Sequence, residues 1–326
     1  MPHSPSRSPV LAAWGAGVDS TAMLIELVSR REPVDQVLFA DVGAEKAETL
    51  AFVPLFRDWL AARGVPSEIV RYRPKNFKNW PPYRTLTENL LTNATLPGIA
   101  FGRGTCSQKW KAAPQHAWAR AWPPAREAWA AGRKVIKLIG YDAGPADDRR
   151  YRVASALDDP FYEHRYPLRE WGWTRTDSIA RIERAGLPVP VKSACFFCTA
   201  ARPDEVRALP VEQLRQIVLI EARAAPRLRT IDGLWRKPVK GARGAQPRPG
   251  AMTAFIRAEG LLEEAEIDAI IDAAPRSLTR WQAAVAERPD ERPELRRWLT
   301  VFDGFAGRVG QMDAAPGLYA GLEAQP

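Results

Sequence analysis

A doubly wound α/β fold with a mostly parallel sheet is predicted for the first 140 residues, on three observations. Short β-rich runs recur at 9–14, 36–41, 68–72 and 134–140. Helical apolar spacing fills the intervals at 20–31, 48–63 and about 112–131, and strands separated by helices imply parallel pairing through crossovers. Small-residue corners, "WGAGVDST" (14–21) and "ADVGAE" (40–45), stand at strand ends, where such sheets bind ligands.

Each element has a local reason. Leu24, Leu27 and Val28 share one helical face, as do Phe52, Leu55, Phe56, Trp59 and Leu60. Pro54 interrupts the second pattern and predicts a kink or a helix start there. Residues 75–111 read as a long irregular section. Thr176 or Asp177 can cap a helix that ends at Gly186. Beyond Arg202 the spacing is helical at 203–224, 260–274, 278–286 and 293–301. Between these, "WRKPVKGARGAQPRPG" (235–250) is basic and rich in Gly and Pro, a loop that is either a solvated linker or a nucleic-acid contact. The organisation expected is a nucleotide-binding domain at 1–205 followed by a helical region at 206–326.

Composition bounds the function. The chain has 326 residues, 46% hydrophobic and 26% charged, ordinary for a globular protein. No apolar run approaches the roughly 18 residues of a membrane span. The first ten residues are polar and lack the apolar stretch of a secretory signal, so a cytoplasmic location without membrane partners is expected. The net charge of +9, mostly arginine, suits phosphate-bearing partners, although arginine-rich composition also has other origins. Three cysteines, Cys106, Cys195 and Cys198, are too few and too uneven for a disulfide framework.

Read from the residues alone, "WGAGVDST" is either a tight strand–helix corner or a phosphate cradle at a helix N-terminus. It is not a Walker A loop, because no Gly-Lys-[Ser/Thr] is present. The hexapeptide "GAGVDS" resembles the Ser-Gly-Gly-x-Asp-Ser PP-loop of the ATP pyrophosphatase and adenine nucleotide α-hydrolase superfamily. Gly17, Asp19 and Ser20 match, while Gly15 replaces the Ser and Ala16 a Gly. "LFADVGAEKAET" resembles the second-strand segment of phosphoadenylylsulfate reductase relatives, with Asp41, Gly43, Glu48 and Thr49 in place. "LIGYDAGPADDRR", "YPLREWGWTRTD" and "GLPVPVKSACFFCTA" are similar to that family's later segments, and the order of all five covers about residues 9–205. The whole is most similar to the reductase-like proteins of phage and bacterial genomes.

The resemblance implies a Rossmann-like sheet of the adenine nucleotide α-hydrolase type. It implies ATP bound by Gly15, Ala16, Gly17, Val18, Asp19, Ser20 and Thr21, with Asp41, Gly43 and Gly140 lining the site. Asp19 would orient the loop or hold Mg²⁺, and Lys109, Arg149 and Arg150 would stabilise charge at the α-phosphate. In iron–sulfur adenylylsulfate reductases a Cys-Cys pair precedes a Cys-x-x-Cys at very similar spacing and holds a [4Fe-4S] cluster. Here Cys106 is followed by Ser107, and 88 residues separate it from Cys195. Three thiolates would leave one iron open, the arrangement that three-cysteine tRNA thiolases use to carry sulfur. Buried unrelated thiols, or zinc with His116 or His164 as a fourth ligand, are the alternatives.

Sulfonucleotide reduction is disfavoured, because the family's nucleophile is a tail cysteine and none follows Cys198. The expected activity is ATP-dependent sulfur transfer releasing AMP and pyrophosphate. The acceptor would be nucleic acid (tRNA or DNA) or a free nucleobase, and the sulfur donor a cysteine desulfurase or sulfide. A homodimer is a compatible assembly. A nucleotide-binding regulatory or defence module without catalysis is the reading from another class, supported by the departures at Gly15 and Ala16. Trp171 and Trp173 are better read as core than as an adenine platform, and His164 as a turn residue.

Overall fold

A computed structural model describes residues 7–74, 83–100, 103–241 and 247–274. In chain order, β1 (Val10–Trp14), α1 (Val18–Ser29), β2 (Gln36–Asp41), α2 (Ala47–Ala61) and β3 (Ser67–Arg71) come first. Next are α3 (Leu86–Asn93) and a small hairpin of β4 (Ile99–Ala100) and β5 (Arg103–Gly104). A π-helical turn, Ser107–Ala112, leads to α4 (Ala113–Ala121), α5 (Pro123–Ala130), β6 (Val135–Ile139), α6 (Pro145–Ser155) and β7 (Tyr162–Arg165). Then come α7 (Pro167–Glu170), α8 (Arg175–Arg184), α9 (Pro203–Arg207), α10 (Val211–Ala224) and α11 (Met252–Ala258). No helix among the described residues is long and apolar enough to cross a membrane.

The chain forms two compact units. The first joins the residues up to Tyr72 with Ser107–Ser193, and the second joins Arg73–Cys106 with the residues from Ala194 on. The division differs from the one expected at 205. The excursion after β3 leaves the sheet, and α3 packs on α10. Arg223 of α10 donates to the Leu91 carbonyl at 2.7 and 3.2 Å, satisfying the end of α3, and burial lowers the arginine's pKa to about 10. The helices expected at 278–286 and 293–301 lie outside the described residues.

The first unit is a five-stranded parallel sheet in the order β3-β2-β1-β6-β7. This is the predicted doubly wound α/β architecture. Strand order reverses between β1 and β6, so the crevice outside their carboxyl ends is the natural ligand position. Alternation along β1 divides its side chains. Val10, Ala12 and Trp14 enter one core with Leu24, Leu27 and Phe56, while Leu11 enters another with Leu38, Val135 and Tyr162. Trp171 and Trp173 pack against the first core, as read from the sequence.

Three local expectations are corrected. Pro54 does not start a helix: it lies inside α2 at an exposed position, where its missing N–H gives up one hydrogen bond of the ladder. The single helix expected near 112–131 is two, because Pro123 and Pro124 open α5 after an extended Trp122. The cap of α8 is Thr174, whose backbone N–H donates to Asp177 Oδ2 at 2.8 Å.

Lys137 is buried on β6 with its amine 5.0 Å from the Tyr162 ring centroid. Burial lowers its pKa to about 8, with Asp159 opposing. Burial also lowers the pKa values of neighbouring His116 and His164, and the charge of Lys137 adds to that. Between about pH 8 and 10.5 the unfolded chain therefore binds more protons than the folded one, and stability rises with pH across that window. Lys137→Met is expected to stabilise the protein by about 2–3 kcal/mol at pH 7, the gain vanishing above about pH 10.5. Urea unfolding of both proteins at the two pH values measures this; equal stability at pH 7 contradicts it.

Candidate functional site

The candidate site begins where β1 ends. Trp14 is buried, with its ring 5.0 Å from Phe56 and 5.6 Å from Phe39, and its indole N–H donates to Thr21 Oγ1 at 3.0 Å. That bond ties the strand end to the first turn of α1. Ala16 takes a left-handed backbone, φ 55°, a conformation that costs a non-glycine residue about 1 kcal/mol. A glycine at this position would carry no such cost.

Gly17 is the N-cap of α1 and no side chain caps the helix, which leaves first-turn N–H groups directed outward. Ser20 Oγ accepts from the Gly15 N–H at 3.1 Å and lies 3.4 Å from the Gly17 carbonyl. The hydroxyl thus braces the loop. Ser193 Oγ donates to the Gly15 carbonyl, and a Cβ at Gly17 would lie 3.3 Å from Ser193 Cβ. At the neighbouring strand end a Cβ on Gly140 would meet Ser20 Cα at 2.7 Å and Ser20 N at 2.8 Å. Only glycine lets β6 approach α1 this closely.

Three carboxylates converge beside this loop. Asp19 in the first turn of α1, Asp142 after β6 and Asp147 in the first turn of α6 have ligand atoms within 4.8 Å of one another. Asp142 Oδ1 accepts from Gly144 N at 2.8 Å, and Asp147 Oδ2 from Asp142 N at 3.3 Å. Arg175 reaches Asp19 Oδ2 at 3.0 Å and Arg150 reaches Asp147 Oδ1 at 3.1 Å. Asp19 Oδ1 is buried without a hydrogen-bond partner. Burial raises the Asp19 pKa; Arg175 opposes this and the charges of Asp142 and Asp147 add to it. Three carboxylates against two arginines leave surplus negative charge, and the orphaned oxygen fits a divalent cation.

No model of a known protein family matches this chain. A search of curated proteins also finds no match for it. The site's chemistry therefore rests on its own residues.

Of the residues expected to act on phosphate, Arg150 is brought to the carboxylate group, whereas Arg149 stands exposed on α6. Lys109 lies on the π-helical turn with its amine 5.0 Å from the Tyr72 ring. Asp41, at the end of β2, accepts from Gly43 N at 2.8 Å and pairs with Arg71 at 2.9 Å. Gly43 has φ 66°, so this pair shapes the turn after β2. Nearby Glu45 is buried, 3.4 Å from Lys111 Nζ, and burial raises its pKa against the pull of that lysine.

The sequence reading missed Asp142, Asp147 and the Glu45–Lys111 pair. The signal for the first two was present in "YDAGPADD", where Asp142 precedes a turn glycine and Asp147 opens a helix.

The three cysteines all fall in the second unit, despite their separation in sequence, and are half-buried thiols outside any disulfide. Cys198 N–H donates to the Cys195 carbonyl at 3.0 Å, forming a tight turn, and Ala201 N–H donates to Cys198 O at 2.9 Å. Phe196 and Phe197 are buried, with ring centroids 4.7 Å apart. A Cβ on Gly104 would be 3.5 Å from Cys106 Sγ. Among the described residues the Asp group is the one set of three such donors within 4.8 Å, so the thiols are not drawn around a single ion. His116 Nδ1 is 3.0 Å from the Tyr162 hydroxyl, and His164 lies on β7, not in a turn.

Proposed function

We propose that this chain is an ATP-dependent sulfur transferase of the PP-loop type. The observation that carries the reading is the convergence of an uncapped helix N-terminus, a small-residue turn and three carboxylates at the switch point between β1 and β6. In this reading the backbone N–H groups of 15–20 receive the pyrophosphate of ATP, and the turn at Ala16 and Gly17 keeps side chains out of its way. Asp19, Asp142 and Asp147 would hold Mg²⁺, which offsets phosphate charge when bound. Ser20 braces the loop, and Arg175 fixes the Asp19 carboxylate.

An acceptor oxygen then attacks the α-phosphorus, the bond to the β-phosphate oxygen breaks, and pyrophosphate leaves. Arg150, held by Asp147 at the carboxylate group, would offset charge beside the phosphates. Sulfur at the sulfide level then forms a bond to the activated atom of the adenylated acceptor as that atom's bond to the AMP oxygen breaks, and AMP leaves with the electron pair. Cys106, Cys195 and Cys198 would hold a [4Fe-4S] cluster, which with three thiolates keeps one iron open for a sulfur ligand. The donor set supports this: three half-buried thiols in one unit, with two buried phenylalanines between the paired ones.

ATP–pyrophosphate exchange in the presence of tRNA, DNA or free nucleobases tests the activation step. Tight Mg–ATP binding with no exchange under any acceptor would replace the enzyme by a nucleotide-binding module. Asp19→Asn is expected to lower exchange about 100-fold or more while leaving the fold intact by circular dichroism. Wild-type exchange in that variant contradicts the assignment of the loop. Anaerobic purification with iron and sulfide analysis tests the thiols; an iron-free protein with full sulfur-transfer activity sinks that part.

A further inference from the structure

We infer that the open edge of β7 is the contact surface for a second copy of this chain, the two strands pairing antiparallel about a twofold axis at His164. Such pairing is independent of the sulfur-transfer reading. β7 ends the sheet, and among the described residues no strand lies on its outer side. Val135 N–H donates to the Phe161 carbonyl at 3.0 Å, whereas Ile136 N–H turns the other way, to Pro9. Bonding residues alternate along a parallel ladder, so 161, 163 and 165 direct their backbone groups at β6. Tyr162 and His164 present theirs outward, and Tyr162 N–H is met there by Asp159 Oδ1 at 3.2 Å. His164 therefore offers both an N–H and a carbonyl at the edge, the pair that two antiparallel strands exchange. A cleft of about 510 Å³ opens beside this edge, lined by Tyr151, Ser155 and Leu157 as well as by the strand itself.

Charge selects the register. With His164 opposite its own copy, Glu163 of each chain faces Arg165 of the other, on the same side of the joined sheet. One step away, with Glu163 at the axis, two carboxylates would face each other. Glu163 is exposed, and Arg165 gives Nε and Nη2 to Glu170, which leaves the Nη1 donors of its fork for a second carboxylate. The two His164 rings meet uncharged at neutral pH, because burial lowers the His164 pKa, Lys137 and Lys134 add to that, and Asp159 opposes it. Apolar surface flanks the strand. Val153 is 45% exposed, Leu157 50% and Phe161 42%, three of the eight large hydrophobic side chains exposed among the described residues. These three fall in one short stretch, where a monomer ordinarily scatters such residues singly. An edge whose charges complement themselves fits an identical copy; a foreign strand would need the same alternation of glutamate and arginine.

Sedimentation velocity of the full chain between about 1 and 100 μM provides the test, and the wild type is expected as a dimer. Glu163→Arg and Arg165→Glu each set like charges opposite one another twice, and each should raise the dimer dissociation constant at least about 10-fold. Both changes in one chain restore opposite charges and should return the wild-type constant. A one-to-one mixture of the two single variants should also dimerise, because the arginines of one copy then face the glutamates of the other. That recovery shows in addition that both variants are folded. A wild type that is monomeric throughout, a dimer that neither single change weakens, or a mixture that stays monomeric would each overturn the proposal.

Discussion

Gly140→Ala is expected to destabilise the protein by about 2–3 kcal/mol and to abolish Mg–ATP binding. The added Cβ would sit 2.7 Å from Ser20 Cα, 2.8 Å from Ser20 N and 3.1 Å from the Asp19 carbonyl carbon. All three are backbone atoms in the first turn of α1, so no rotamer change relieves the clash. The helix must withdraw from β6. Withdrawal pulls on the Trp14–Thr21 bond, loosens the Ser20 brace on Gly15, and carries Asp19 away from Asp142 and Asp147. Stability and binding should therefore fall together. Gly15→Ala is the internal control, because a Cβ there has its nearest neighbour 3.9 Å away. That change should stay within about 0.5 kcal/mol of the wild type. Denaturant midpoints and calorimetric ATP titration of both variants decide the matter; a Gly140→Ala protein with native stability and affinity shows that the close approach is unimportant.

The parts of this site that could be read from the sequence are those that one short segment determines. A run buried on both faces needs continuous apolar residues, and β2 spans the very residues of the predicted run at 36–41. The turn at 15–17 was legible because small residues between a strand and a helix have few uses. Asp19 was legible as a member of that turn. Its companions were not, because Asp142 and Asp147 reach it only through the pairing of β6 with β1, and pairing is not written in any one segment.

The division into units was hidden for the same reason. α3 joins the second unit through a contact distant in sequence, with Arg223 of α10 reaching the Leu91 carbonyl. Arg150 shows the converse. It was read as a phosphate-binding cation, and the structure gives it a carboxylate partner in Asp147, three residues earlier on the same helix. A loop holding surplus carboxylate charge can take a polyphosphate only with a cation between them. Nucleotide affinity at this site should therefore follow the divalent ion.

Glu221→Ala is the substitution with the largest expected loss of stability, about 3–5 kcal/mol. A glutamate in the last turns of an amphipathic helix ordinarily faces water, and the sequence offered no reason to treat this one otherwise. In the fold it is buried, and its two oxygens receive three backbone N–H groups, from Leu234 at 2.6 Å, Met252 at 2.9 Å and Thr253 at 2.7 Å. Met252 and Thr253 open α11, so the carboxylate supplies the N-terminal cap that no local side chain provides. The glycine at 233 is part of the same arrangement, since a Cβ there would lie 2.4 Å from Glu221 Oε1. Truncation to alanine leaves three N–H groups without their acceptor, and the two that are buried have no water to replace it. Glu221→Gln keeps one acceptor oxygen but sets an NH₂ against an N–H, so an intermediate loss is expected. Guanidinium unfolding should order the three proteins as wild type, Gln, Ala. A Glu221→Ala protein that unfolds at the wild-type midpoint would show that these three N–H groups find other acceptors.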